Sequence, residues 1–80
     1  MENLKKILKL LKPSTLRGIF EKSNLTEIEH KIMIYSFCQK QLRLWTCEKL
    51  NISVSTYNNY RNIALTKVGN TLVNLLCLKD

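Results

Sequence analysis

Ser55, Thr56, Asn58, Asn59 and Asn62 crowd into one short stretch of an 80-residue chain. Wound at about 100° per residue, Ser55, Asn59, Asn62 and Thr66 share one side of a helix, with Asn58 on the flank. The other side carries Tyr57, Ala64 and Val68, with Val54 and Leu65 at its edge. The outward side is thus built of short, uncharged donors and acceptors. Asn matches the adenine edge in the major groove bidentately, and Ser can bond several bases. A merely solvated helix face more often carries Lys and Glu, which favour the helix. Three Asn at 58, 59 and 62 oppose helix formation, and such local conflicts belong to functional sites. An AT-rich coding bias is the bland source of the same Asn. Cations flank the stretch at Arg43, Lys49 and Lys67, which are the candidates for backbone phosphate.

Other chemistries find little support. His30 is the only histidine, and Cys38, Cys47 and Cys77 form no CxxC pair and no zinc spacing. His30 and Cys38 can share a helix face, but two ligands do not close a structural zinc site. There are no paired carboxylates on one face, no Gly-rich phosphate loop and no Ser-His-Asp set. The expectation is no enzyme, no cofactor and no metal. An odd cysteine count without a secretory signal suits reduced thiols in a cytoplasmic protein. No apolar run approaches the ~20 residues of a spanning helix, so no membrane partner is expected.

Thirteen Lys and Arg against six Asp and Glu leave a net charge of +7. On so small a body that excess favours an anionic partner, although it also serves solubility. Hydrophobic residues at 45% suit one compact fold, and two Gly with one Pro are too few for the many turns of a sandwich or barrel. A small all-α domain of four to five helices follows.

The elements that must position the polar face can be placed in order. Leu4, Ile7, Leu8 and Leu11 form one stripe of a first helix within 1–12, flanked by Lys5, Lys6, Lys9 and Lys12. A basic amphipathic helix can lie on acidic lipid or simply cover the core, and the short length favours packing. Lys12-Pro13 breaks it, and Ser14 is the expected cap of a second helix over 15–22. Residues 1–22 hold six basic and two acidic side chains, so 1–24 reads as a basic helical arm and 25–80 as the main domain. Thr26 with Glu29 forms a capping box, with Leu25 as a staple residue. The helix it opens carries Ile28, Ile32, Met33, Tyr35 and Phe37 and fades near Gln39-Lys40-Gln41. A shorter helix spans about 42–50. Asn51 tolerates the left-handed turn that follows, and Ser53 caps a helix from about Val54 to Val68. Gly69-Asn70 is expected to end or kink it before a last apolar stretch over 72–78.

Helix, tight turn and capped helix within a basic all-helical domain form the pattern of a helix-turn-helix. Cys47 supplies the small residue where the two helices cross, and Ile52 the apolar plug after the turn. Residues 25–69 resemble the helix-turn-helix of region four of bacterial sigma factors and of LuxR-type regulators. The resemblance rests on Leu25-Thr26-x-x-Glu29, on Glu48-Lys49-Leu50-Asn51-Ile52-Ser53, and on Thr56-Tyr57 with Ala64-Leu65-x-Lys67-Val68. It implies an all-helical domain whose second helix enters the major groove, bringing Ser55, Thr56, Asn58, Asn59 and Asn62 to double-stranded DNA. It also implies contact with RNA polymerase. Asn51 stands where that family usually has Gly. Arg61 stands where it has an apolar residue, at the edge of the core face, able to reach a phosphate or a carboxylate such as Glu48. No sigma-type region two precedes the module, so a small bacterial or phage transcription regulator is expected rather than a whole sigma factor. One module reads one half-site weakly, so a homodimer is an expected partner state, through Leu4, Ile7, Leu8 and Leu11 or the stretch 72–78. The rival reading is a protein-interaction module that grips RNA polymerase or a sigma factor without reading DNA.

Overall fold

The computed structural model describes residues 2–77, with side chains described for 3–75. Five α-helices and no strand make up the described residues: α1 (Glu2–Leu10), α2 (Pro13–Lys22), α3 (Glu27–Met33), α4 (Arg43–Leu50) and α5 (Val54–Cys77). A π-helical turn over Ile34–Cys38 prolongs α3. The all-α class is as the composition and periodicity require. No described helix is long and apolar enough to cross a membrane.

Helix starts follow from local chemistry. Thr26 and Glu29 complete the capping box: Glu29 N–H donates to Thr26 Oγ1 at 3.4 Å, and Thr26 N–H to Glu29 Oε1 at 3.0 Å. The start of α2 differs from the sequence expectation. Lys12 is the residue before the helix and Pro13 its first helical residue, so Ser14 lies inside it and caps nothing. Proline's fixed φ and missing N–H suit that first position better than any side-chain cap requires. At the far end Asn24 turns the chain with φ 54°, while Ser23 Oγ donates to Ile19 O at 2.7 Å.

Two apolar clusters share α5 as their spine. The larger joins Leu8 of α1, Leu16, Ile19 and Phe20 of α2, Met33 and Phe37, and Ala64, Leu65 and Val68 of α5. The smaller joins Ile32 of α3, Cys47 of α4 and Tyr57 of α5, with Ile52 and Tyr60 packed beside them. Full burial of a side chain such as Leu8 or Phe20 stabilises by about 1.5–3 kcal/mol relative to exposure. The segment 1–24, read as an arm, is therefore a structural part of the core. Leu4, Leu8 and Leu11 turn inward, whereas Ile7 stays 49% exposed. Most of that stripe is consumed by the monomer and is not a free dimer face.

α5 runs on through Gly69-Asn70, where the sequence suggested a stop or kink. Its 24 residues make it about 36 Å long, which sets the long axis of a body measuring 43 × 22 × 20 Å. Glycine is needed there for a neighbour. A Cβ on residue 69 would lie 3.4 Å from Leu4 Cδ2, so its absence lets α1 approach α5. Beyond it Leu72 packs on the larger cluster and holds the helix in place, while Val73 and Leu75 face outward. Leu78, and the side chain of Leu76, lie outside the described residues.

Gly18, in the middle of α2, has open space around the position of a Cβ. Gly18→Ala is expected to stabilise the fold by about 0.5–1 kcal/mol, because alanine restricts the unfolded chain and suits a helix interior. Chemical denaturation checks this, and a lower midpoint for the variant would contradict the packing described for α2.

Candidate nucleic-acid interface

α4 ends in a left-handed residue. Asn51 adopts φ 57° and ψ 49°. Its N–H donates to Glu48 O at 3.2 Å, and Ile52 N–H donates to Cys47 O at 3.0 Å. These two bonds form a Schellman closure, with Asn in the place Gly most often holds. Ser53 then starts α5: its Oγ accepts from Thr56 N–H at 3.1 Å and donates to Thr56 Oγ1 at 2.9 Å. Cys47 is buried against Ile32 and Tyr57, small enough for α4 to sit close to α5. Tyr57 is itself buried, and its hydroxyl meets Ser36 Oγ at 2.9 Å. These contacts orient the first turns of α5 from three elements at once.

Ser55, Asn59 and Asn62 are exposed on α5 opposite Tyr57, Ala64 and Val68 in the cores, and Asn58 is exposed on the flank. Thr66 is exposed as well and donates its hydroxyl to Asn62 O at 3.0 Å. Thr56 is half-buried and occupied by the Ser53 cap, so it is less available than the other four. The angular reading of this helix therefore agrees with its burial along the first four turns.

The three cations differ among themselves. Arg43, the first residue of α4, and Lys49, in its last turn, are both exposed. Lys67 does not stand free for a phosphate: its Nζ lies 2.7 Å from Glu29 Oε1, a carboxylate with only 4% of its side chain exposed. Glu29 Oε1 thereby serves both the cap of α3 and an ion pair to α5. Burial pushes the Glu29 carboxyl up, but the Lys67 ammonium and the Thr26 donors outweigh it and hold the group below its ordinary range. Lys67 is thus a structural tie between two helices. Its partner was visible in the sequence only as a capping residue, because the pair is closed across 38 positions.

Arg61 answers the question its position raised. It does not pair with Glu48. Its guanidinium carbon stacks 5.4 Å from the Phe37 ring centroid, and its buried Nε has no hydrogen-bond partner. A cation over an aromatic face gains about 0.5–2 kcal/mol, whereas a buried donor without a partner costs about 1–3 kcal/mol. The side chain borders a groove of about 480 Å³ between α1, the π-helical turn, the start of α4 and α5. Lys9, Arg43 and Arg61 line it together with Ser36, Gln41 and Tyr57, and no carboxylate does. Nothing in the sequence connects Lys9 with Arg43, 34 positions apart. A basic residue beside the apolar stripe of the first helix was the one available signal.

The start of α4 also exposes apolar surface. Leu42 is 78% exposed and Leu44 64%, and Trp45 is partly covered by an edge-on contact with Tyr35 at 5.4 Å. Family models, curated proteins and solved structures provide no match to this chain.

Proposed function

We propose that the protein is a DNA-binding transcription regulator that reads the major groove with the first four turns of α5. The carrying observation is the exposed, uncharged Ser55-Asn58-Asn59-Asn62 face, held opposite the core on a helix that starts at the Asn51–Ser53 turn. Such a face suits base edges. The net charge of +7 supplies the nonspecific attraction to backbone. In this reading α4 and α5 act as a helix-turn-helix. Arg43 and Lys49 meet phosphate from the two ends of α4, Asn58, Asn59 and Asn62 read bases, Ser55 assists them, and Thr56 mainly braces the cap.

The test begins with selection of bound duplexes from a random pool at low salt. Asn59→Ala is then compared with the parent on the selected duplex and on a scrambled one. Asn59 makes no contact with the core, so the fold should be unchanged. Loss of a good bidentate contact should cost about 1–3 kcal/mol on the selected duplex and relax the preference at one position. Equal weakening of both duplexes would show that Asn59 does not read sequence, and absence of binding to any duplex would remove the proposal.

Exposed Leu42, Leu44 and Trp45 favour a second reading. In it the start of α4 is an apolar contact for RNA polymerase or a sigma factor, and the protein regulates without reading DNA. An interface of that kind keeps its affinity as salt rises, whereas phosphate-driven binding does not.

A further inference from the structure

We infer that the groove bounded by Lys9, Arg43 and Arg61 is a phosphate-binding site. Its three cations come from α1, α4 and α5, and none forms an ion pair among the described residues. The described carboxylates Glu21 and Glu27 border other depressions on the surface. A second groove of about 260 Å³ shares Lys9, Ser36 and Gln41 with the first and adds Lys40. Positive charge is therefore gathered on one side of the π-helical turn, and no carboxylate lines either groove.

Geometry selects an oxyanion. The Arg61 guanidinium carbon lies 5.4 Å from the Phe37 ring centroid and its Nε is shielded from solvent, so the donors Arg61 can offer at the groove are its terminal N–H groups. A planar fork held in place is suited to bidentate capture of phosphate oxygens. The first turn of α4 borders the same groove, and Leu42 before it offers no side-chain cap. The backbone N–H groups there remain available to an anion, with the helix dipole in its favour. The Ser36 and Tyr57 hydroxyls share one hydrogen bond at 2.9 Å, which leaves one O–H of the pair to donate at the groove. Lys9 closes the site from α1, which is held there by Leu8 in the core.

For the source of the phosphate the inference rests on the DNA reading. Asn58 and Arg61 are three residues apart and so neighbours on the surface of α5. A duplex whose bases met Asn58 and Asn62 would bring a backbone phosphate to the groove. Free phosphate is the other source of the same chemistry.

The experiment titrates inorganic phosphate into the protein at constant ionic strength, following the Arg61 Nε–H and the Arg43 and Leu44 amides by NMR. A short duplex from the selected pool is titrated in parallel. Saturable movement of these signals is expected. Arg61→Met keeps the apolar stack and should weaken phosphate at least tenfold. Lys9→Gln with Arg43→Gln, both at exposed positions, should do the same and decides the matter if Arg61→Met unfolds. Tenfold weakening of the duplex by the same variants assigns the source to the backbone. Phosphate capture without duplex binding keeps the groove and removes the DNA reading. Duplex binding unaffected by these variants, with no phosphate-induced movement at Arg61, overturns the groove and leaves the DNA reading standing.

Discussion

Lys67→Met should destabilise the fold by about 2–3 kcal/mol, since it strands a buried carboxylate. The figure lies below the usual range for a broken buried pair because Lys67 itself keeps 32% of its side chain exposed. At roughly 4–8 °C per kcal/mol for a domain of this size, the melting temperature should fall by about 10 °C or more. Glu29→Gln should cost less, because a neutral amide can still accept from Thr26. The double variant should be less unstable than the sum of the two, which is the signature of a direct pair. The pH dependence has a definite sign. The Glu29 carboxyl is held below its ordinary value of 4.5, so the folded state binds that proton less readily than the unfolded chain. Its contribution is complete above pH 4.5 and is lost as pH falls through the lower folded value. Glu29→Gln should remove that part of the acid loss. Denaturant midpoints at neutral pH and at successively lower pH measure both effects. A cost below about 0.5 kcal/mol for Lys67→Met would place it with ordinary exposed ion pairs and show that the tie is weak in solution.

The second large effect concerns salt. If Lys9, Arg43, Lys49 and Arg61 each neutralise one phosphate, log affinity should fall with log salt at a slope of about −3.6. Between 50 and 200 mM salt the affinity for duplex should then drop by about a hundredfold. Arg43→Gln should weaken selected and scrambled duplexes alike and reduce the slope by about one. Lys67 is left out of this count because Glu29 already holds it. Fluorescence anisotropy at several salt concentrations gives the slope directly. Binding of a protein partner with little dependence on salt, and none of duplex, would instead favour the apolar start of α4 as the working surface.

Much of the helical framework was legible before any contact was known. Thr26 with Glu29 and Ser53 with Thr56 are caps whose partners lie three residues away. Asn51 carries the left-handed turn within its own backbone. The exposed and buried sides of α5 follow from 100° per residue and the residue types on it. All of these depend on neighbours close along the chain, and a sequence displays such neighbours directly. Pro13 is an instructive exception: its start signal was local but was assigned to Ser14, because two competing local signals stood side by side.

What the tertiary structure decided involves partners far apart in the chain. Gly69 looks like a helix stop from its own chemistry, yet Leu4 and Leu72 make it a point of close packing inside one long helix. Lys67 looks like a free cation until Glu29 is brought within 2.7 Å. Lys5, Lys6, Lys9 and Lys12 are equivalent in the sequence, and the docking of α1 through Leu8 brings Lys9 to a groove with Arg43 and Arg61. Arg61 looks like an exposed helix cation until its guanidinium meets the Phe37 ring, from another element, and its Nε is buried. Helix type and face are set by periodicity and local hydrogen bonds, which the sequence determined. Which charges are neutralised and which are left facing a common groove depends on how the helices dock, and only long-range packing decides that.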